Sequence, residues 1–290
     1  MAREWRGVTR LVEAQPTSDG AGVSLNRTIA TDALSHLDPF LLLDEFNSEN
    51  PDDYIAGFPD HPHRGFETVT YMIEGRMRHA DNAGGGGVVR SGGVQWMTAG
   101  RGIIHSEMPE QEDGKMQGFQ LWVNLPAKLK MSAPRYQGLD PDEVPEVTHE
   151  DGAVIRIIAG EHDGVRGPVA DIVAEPLYLD VALPPGAAVT QEIPAGHTGF
   201  AYVFEGEALS VVEGGPDAGN GSAAPVPYRT LAILGDGDAV ALRNDTGKPA
   251  RALLIAGKPI GEPIVRYGPF VMNTREEILQ AFADFNEGRF

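Results

Sequence analysis

Short runs of β-branched, aromatic and leucine residues recur along the chain, separated by clusters of Gly, Pro, Asn and Asp. Apolar runs of this length, bounded by such clusters, are typical of strands rather than helices. Many short strands joined by tight turns favour a β-sandwich or β-barrel. Clear examples of these runs lie at residues 40–43, 68–73, 119–123 and 155–158.

One short sequence is repeated in the two halves of the chain. The pentapeptide YMIEG at 71–75 recurs as YVFEG at 202–206, and each copy leads into another strand-like run and then a Gly-rich turn. Because the copies lie at corresponding places in the two halves, we expect two copies of one antiparallel β-barrel. The predicted fold class is therefore all-β.

A change in composition marks the expected boundary between the barrels. Residues 126–152 contain four prolines and many charges, and they interrupt the strand pattern. We therefore predict an N-terminal domain at residues 1–137 and a C-terminal domain at 138–290. The second domain is expected to end in a short helix, because a capping-box sequence precedes apolar residues at helical spacing. The box is TREE at 274–277, and the apolar positions are Ile278, Leu279, Phe282 and Phe285.

Composition and charge exclude several classes of protein. The 290 residues carry a formal net charge of −19, which disfavours direct binding to nucleic acid, since such binding uses clustered Lys and Arg against phosphate. No apolar stretch is long enough to span a bilayer and the first residues lead into no apolar signal core, so we expect a cytoplasmic protein without membrane contact. With no cysteine, any bound metal must be held by His, Asp or Glu.

Two pairs of candidate metal ligands occur in strand-like sequence. Side chains at positions i and i+2 of a strand share a face, so His61 lies beside His63, and His105 beside Glu107. If these strands are neighbours facing a barrel interior, three imidazoles and one carboxylate converge. This set suits a divalent first-row metal such as Fe, Mn, Ni, Cu or Zn, and the ligand chemistry does not choose among them. If the pairs face outward they need no metal, because a single strand histidine is usually a surface residue or a hydrogen-bonded core residue.

Longer motifs around these pairs resemble those of the pirin family of the cupin superfamily. The resemblance extends over most of the chain. The motifs are DPFLLLDEF at 38–46, DHPHRGFET at 60–68, QWMTAGRGIIHSEMP at 95–109, QLWVNL at 120–125 and GPFVMNT at 268–274.

The resemblance implies a bicupin, in which two antiparallel β-barrels lie face to face and the N-terminal one holds a mononuclear metal, usually iron. We therefore expect Fe(II), with Mn, Ni, Cu, Co and Zn as alternatives. In pirins the metal ligands fall at the positions of His61, His63, His105 and Glu107, and all four residues are present.

The general cupin pattern differs from that of pirins and points to another carboxylate. It uses a Glu a few residues after the His-x-His, and Glu67 lies near that place. Glu67 is therefore an alternative ligand, or an acceptor that orients an imidazole or pairs with Arg64. In the second half, Glu192 and Pro194 occupy the positions of the first histidine pair, so the C-terminal domain is expected to be metal-free. His36, His149 and His162 show no convincing partner, and His197 is interpreted as a loop residue.

The resemblance gives two hypotheses for function. In the first, a small aromatic, flavonol-like substrate enters the N-terminal barrel, and the protein is a metal-dependent dioxygenase that cleaves flavonols such as quercetin with O2. Glu107 is then the candidate catalytic base. In the second, the protein is a redox-responsive, iron-containing regulator that binds a transcription factor or metabolic enzyme without turnover, and its acidic surface would suit a basic protein partner. A different physiological substrate stays open, since cupin barrels host isomerases and oxidases too.

Overall fold

Strands account for most of the described chain, which comprises residues 3–218 and 222–290 of the computed structural model. The first strands are β1 (Val8–Glu13), β2 (Gln15–Asp19), β3 (Val23–Ile29), β4 (Phe40–Ser48), β5 (Phe58–His63), β6 (Phe66–Glu74), β7 (Arg76–Asp81), β8 (Gly86–Arg90), β9 (Val94–Thr98), β10 (Ile103–Pro109), β11 (Met116–Asn124) and β12 (Arg135–Leu139). Next come β13 (Glu146–Thr148), β14 (Val154–Ala159), β15 (Glu161–His162), β16 (Val165–Arg166), β17 (Leu177–Leu183), β18 (Ala188–Glu192), β19 (Thr198–Glu205), β20 (Ala208–Val212), β21 (Ala223–Pro227) and β22 (Thr230–Leu234). The last elements are β23 (Ala239–Arg243), β24 (Ala250–Gly257), β25 (Val265–Tyr267), β26 (Phe270–Met272) and the helix α1 (Arg275–Asn286). Short 3-10 turns lie at Pro51–Asp53, Ala127–Leu129 and Pro141–Glu143.

The chain forms two compact units with the same sheet topology. The histidine unit comprises Gln15–Glu143 and Ile260–Phe290, and its antiparallel sheets have the orders β12-β9-β6-β11-β4-β3-β2 and β5-β10-β7-β8. The second unit comprises Met1–Ala14 and Val144–Pro259, and its sheets have the orders β1-β22-β19-β24-β17-β14-β13 and β18-β23-β20-β21. Strand β6, which carries YMIEG, corresponds to β19, which carries YVFEG. The prediction of an all-β chain with two copies of one fold is confirmed.

A division at 137/138 assigns the first strand to the N-terminal domain and the C-terminal helix to the second domain. In the structure each of these chain ends groups with the other unit. Strand β1 pairs with β22 from Val8 opposite Leu234 to Glu13 opposite Thr230, and so belongs to the second unit. It covers the backbone groups of β22, as β12 covers those of β9 in the other unit. At the other end, β25, β26 and α1 belong to the histidine unit. The boundary between the compact units therefore lies between residues 143 and 144, and the helix groups with the histidine unit rather than with residues 144–259.

The helix α1 has the predicted start, and one of its four predicted apolar positions faces solvent. The Thr274 hydroxyl accepts from the Glu277 backbone N–H at 3.2 Å, and the Glu277 carboxylate accepts from the Thr274 N–H at 2.9 Å, which forms the capping box. Ile278 and Ala281 are buried against the strand pair β25–β26, whereas Leu279 is 60% exposed. The apolar stripe is thus narrower than the sequence predicts. No helix in the described ranges is long and apolar enough to span a lipid bilayer.

The interiors of the two units differ at equivalent positions of their large sheets. In the second unit Ala201 lies opposite Leu254, within a continuous aliphatic core. In the histidine unit the same places on β6 and β11 are taken by Thr70 and Gln120, which line a cavity. At these interior positions the second unit therefore has apolar side chains, and the histidine unit has polar ones.

A buried lysine fixes the loop that follows β5. The Lys130 ammonium donates to the Gly65 carbonyl at 2.7 Å, to Asn124 Oδ1 at 2.7 Å and to the Val271 carbonyl at 3.1 Å. Burial lowers the pKa of Lys130 from 10.5 to about 8. Burying the charged ammonium therefore costs free energy, which the hydrogen bonds to these three acceptors partly offset.

Replacing Lys130 should reveal both the contribution of its hydrogen bonds and the cost of burying its charge. We expect Lys130→Met to lower the free energy of unfolding by about 1–2 kcal/mol at pH 7, since three buried acceptors lose their donor while the desolvation cost of the charge is relieved. Between pH 8 and 10.5 the folded wild type has already lost the proton that the unfolded chain still holds, so wild-type stability rises with pH. The difference between wild type and variant should thus be larger at pH 9.5 than at pH 7, as measured by denaturant unfolding.

The exposed Lys128 provides the control for this substitution. Lys128→Met should leave both the stability and its pH dependence unchanged. An equal wild-type-to-variant difference for Lys130→Met at the two pH values would contradict the lowered pKa.

Candidate metal centre

The two predicted ligand pairs lie on neighbouring strands of one sheet. Strands β5 and β10 pair antiparallel, with His105 opposite His61 and Ile103 opposite His63. Residues opposite each other share a face, as do residues at i and i+2, so the three imidazoles project to the same side. Their ligand nitrogens all lie within 4.8 Å of one another. The predicted convergence of the three histidines is confirmed.

Hydrogen bonds to carbonyl groups determine which imidazole nitrogens face the centre. His61 Nδ1 lies 2.8 Å from the Pro59 carbonyl oxygen, and His63 Nδ1 lies 3.4 Å from that of Pro269. Because a carbonyl only accepts, each Nδ1 carries the proton and each Nε2 presents a lone pair. The two Nε2 atoms are 3.1 Å apart. Two lone pairs at this distance repel, and a cation between them removes the repulsion.

Neither His63 nor His105 supplies that cation by taking up a proton near neutral pH. Burial, reinforced by the neighbouring imidazoles, lowers the pKa of His63 well below 6.5 and that of His105 to about 3. In the described part of the chain both ring nitrogens of His105 are buried without a hydrogen-bond partner. Two buried imidazoles, one of them with unpartnered ring nitrogens, converge with the half-buried His61, and this set fits a divalent first-row metal ion.

Glu107 lines the cavity that Thr70 and Gln120 also line, but its carboxylate does not belong to the group of converging imidazole nitrogens. Its Oε1 accepts from the Thr70 hydroxyl at 2.6 Å and its Oε2 from Gln120 Nε2 at 3.2 Å. Among the described residues, the group with all ligand atoms within 4.8 Å contains the three imidazoles and not this carboxylate. The role of Glu107 as a fourth ligand stays a prediction.

The alternative carboxylate, Glu67, is held by other partners. It accepts from the Thr98 hydroxyl at 2.7 Å and from Trp96 Nε1 at 3.2 Å, and burial raises its pKa. Arg64 bonds to Asp284 of α1 at 2.6 Å. The suggested pairing of Glu67 with Arg64 is therefore wrong, because the C-terminal helix supplies the partner of the arginine.

The histidine unit encloses a cavity of about 580 Å³ next to these side chains. This volume lies within the range of roughly 300–1,000 Å³ that is typical of small-molecule sites. Phe46, Phe58 and Trp122 supply flat apolar wall, and Arg266 lies over the Trp122 ring at 4.5 Å. The cavity combines an apolar wall with polar lining groups, which include two of the imidazoles, Glu107 and its partners, and also Asp44 and Arg266.

Strand spacing in the sequence indicates the histidines but not Thr70, which holds the Glu107 carboxylate from the opposite sheet. A usable signal does exist in the sequence. Thr70 and Gln120 are polar residues at interior positions of otherwise apolar strands, where the second copy of the fold has Ala201 and Leu254. Comparing the two halves position by position would have identified both residues.

Comparison with known proteins gives consistent results over both halves. Sequence models described as pirin and as pirin C-terminal cupin domain match residues 22–123 and 178–290. A pirin-like protein of Caulobacter vibrioides is 50% identical over 286 residues, covering 98% of this chain and 99% of that protein. Pirin of Homo sapiens is 45% identical over 283 residues, covering 97% and 93%. The crystal structure of quercetin 2,3-dioxygenase from Acinetobacter baumannii superposes with a TM-score of 0.87 at 34% identity, covering 99% of this chain and 98% of that one.

Proposed function

Because the chain belongs to the pirin family, we propose that it is a mononuclear metal protein that cleaves flavonol-like substrates with O2. The observation that carries this proposal is the convergence of three imidazoles beside a cavity with an aromatic wall. The A. baumannii quercetin 2,3-dioxygenase, which shares the fold at 34% identity, supports the choice of substrate class.

His61, His63 and His105 would hold the ion, with Glu107 as the proposed fourth ligand. Fe(II) is the proposed metal, and Mn, Ni, Cu, Co and Zn are the alternatives that such a set accepts. When bound, the metal supplies Lewis acidity toward an enolic oxygen and a site for O2 chemistry. The chain itself supplies a rigid nitrogen set, because two of the imidazoles are fixed by carbonyl groups.

The side chains around Glu107 are arranged to accept a proton. The Thr70 hydroxyl lies 2.6 Å from Glu107 Oε1 and 2.7 Å from Gln120 Oε1, and its single proton can serve only one of them. When Glu107 is ionised, Thr70 donates to it. When Glu107 has taken the proton of a substrate hydroxyl, it can donate to Thr70, which then donates to Gln120. Both protonation states are therefore hydrogen-bonded in a buried site.

The test is an aerobic quercetin assay after anaerobic loading with Fe(II), Mn, Ni, Cu or Co in turn. Turnover with one of these metals, and its loss in the metal-free chain, is the expected result. No turnover with any of them would contradict the dioxygenase and favour the regulator that binds a protein partner.

Glu107→Gln tests the proposed base, and the metal content of the variant shows whether the proposed fourth ligand is lost with it. We expect kcat to fall about 100-fold, since a positioned general base typically contributes at least that much and the amide cannot take the proton. Glu110→Gln, a change of the same kind just beyond β10, should leave kcat unchanged. Metal content is measured in parallel. Full kcat in Glu107→Gln with normal metal content would contradict this role.

A further inference from the structure

A second group of potential ligands lies in the second unit, in segments unrelated to the first histidine pair. His149 lies in the turn between β13 and β14, His162 ends β15, and Asp163 begins the turn between β15 and β16. His149 Nε2 is 3.0 Å from His162 Nε2 and 3.5 Å from Asp163 Oδ2, and His162 Nε2 is 3.8 Å from the same oxygen. Three side chains thus bring two nitrogens and one oxygen together.

Gln191 fixes the tautomer of the buried histidine. Its Nε2 donates to the carbonyls of Glu161 at 3.1 Å and Glu192 at 2.7 Å, so its Oε1 must face His162 Nδ1, which lies 2.7 Å away. A flipped amide would set its oxygen against two carbonyl oxygens. His162 Nδ1 therefore carries the proton, and Nε2 directs a lone pair at His149 and Asp163. An outer hydrogen bond of this kind is typical of metal-binding histidines.

The distances fit a first-row metal ion. A triangle with these three sides has its centre about 2.0 Å from each corner, and zinc binds imidazole nitrogen and carboxylate oxygen at roughly 2.0–2.2 Å. An ion slightly outside the plane of the three atoms would keep its remaining positions open. His162 and Asp163 also line a cavity of about 830 Å³, which gives that open side room for water or another ligand.

We propose that His149, His162 and Asp163 form a second binding site for a divalent first-row metal such as Zn²⁺. The site is not a copy of the first one, because the positions equivalent to His61 and His63 are Glu192 and Pro194. It amends the expectation that the C-terminal half is free of metal. An ion here would connect the β13–β14 turn to the β15–β16 hairpin, two segments that already meet through the contacts of His149 with His162 and Asp163. The proposal is independent of the dioxygenase.

The competing account is a hydrogen bond between two neutral imidazoles. In that arrangement His149 Nε2 carries a proton and donates to His162 Nε2, and no ion is required. The two accounts predict different responses to zinc, so zinc itself is the probe.

Zinc binding is measured on the full chain by isothermal titration calorimetry after chelator treatment, in a His63→Ala background that disables the first site. We expect one high-affinity zinc per chain, and the same site loaded with Co²⁺ should show visible absorption bands. His149→Ala and Asp163→Asn should each raise the Kd for zinc at least tenfold and abolish those bands.

Asp163→Asn preserves the turn, because Asp163 has φ +47° and asparagine tolerates this left-handed conformation. Asp171→Asn removes a carboxylate from a similar backbone conformation, φ +58°, and should leave the zinc affinity unchanged. Circular dichroism confirms that each variant is folded. Zinc affinity that is the same in His149→Ala, Asp163→Asn and Asp171→Asn, or no zinc binding at all, would overturn the proposal and leave the hydrogen bond as the account of the cluster.

Discussion

His63→Ala is expected to lower the affinity of the first site for divalent metal at least 100-fold and to abolish flavonol turnover. Substitutions of residues that only orient a ligand typically cost 10–100-fold in affinity, so the loss of a ligand should cost more. Only two imidazoles of the cluster remain in this variant, and His63 itself is buried, at 3% exposure. Metal affinity is measured by competition with a chelator of known affinity.

The matched control is His36→Ala, which removes an exposed histidine from the same unit. This variant should keep wild-type metal affinity and turnover. If His63→Ala retained stoichiometric, tightly bound metal, the imidazole cluster would not be the metal site, and the dioxygenase proposal would fall with it.

Asp284→Ala is expected to lower the free energy of unfolding by about 3 kcal/mol. Asp284 on α1 is the ion-pair partner of Arg64, whose side chain is 3% exposed. The Arg64 side chain also donates to the Arg101 carbonyl and lies over the Phe290 ring. Removing one partner of a buried ion pair typically costs 3–5 kcal/mol, because the other charge is left uncompensated. The low end of that range applies here, since the Asp284 side chain is 13% exposed.

The contribution of Asp284 to the free energy of unfolding should decrease as the pH falls into the acid range. Hydrogen bonds from Arg64 and Arg289 hold the pKa of Asp284 well below its ordinary value of 3.8. The stabilisation is therefore complete above pH 4 and is lost as the pH falls below that value. Urea unfolding at pH 7 and at pH 3 should show a smaller difference between wild type and Asp284→Ala in acid.

Glu287→Ala serves as the control for that experiment. Glu287 follows the same helix, and its side chain is 62% exposed in its contact with Arg289. Its removal should change the stability little at either pH, since exposed ion pairs contribute little. Equal stability of Asp284→Ala and Glu287→Ala would show that the helix is not held through Arg64.

The sequence predicts the three histidines because their chemistry and their strand periodicity agree. The position of Glu107 is harder to predict, since the register of β5 and β10 shifts between His105 and Glu107 and places Phe58 opposite the carboxylate. A prediction that assumes strict alternation of side chains between the two faces of a strand does not account for such a bulge. The partners Thr70 and Gln120 come from the other sheet, and their approach depends on how the two sheets pack.

Features that depend on distant segments could not be derived from local patterns. The pairing of β1 with β22 joins residues more than 200 positions apart, and nothing in the Val8–Glu13 sequence specifies that partner. His149 and His162 come from two separate segments, the turn after β13 and the end of β15, and Gln191 reaches His162 from β18. Leu279 fits the apolar spacing of α1 but faces solvent, because β25 and β26 cover only a narrow strip of the helix.

The exchange of chain ends between the units has a consequence for biosynthesis. As the polypeptide leaves the ribosome, residues 15–143 emerge well before residues 260–290, which complete their fold. Until then Leu41 and Phe66 lack the cover of Val271, and Arg64 lacks its counter-charge. Until its last residues are made, the nascent histidine unit exposes apolar surface of the kind that chaperones bind, and we expect gene fragments cut near residue 143 to give insoluble products.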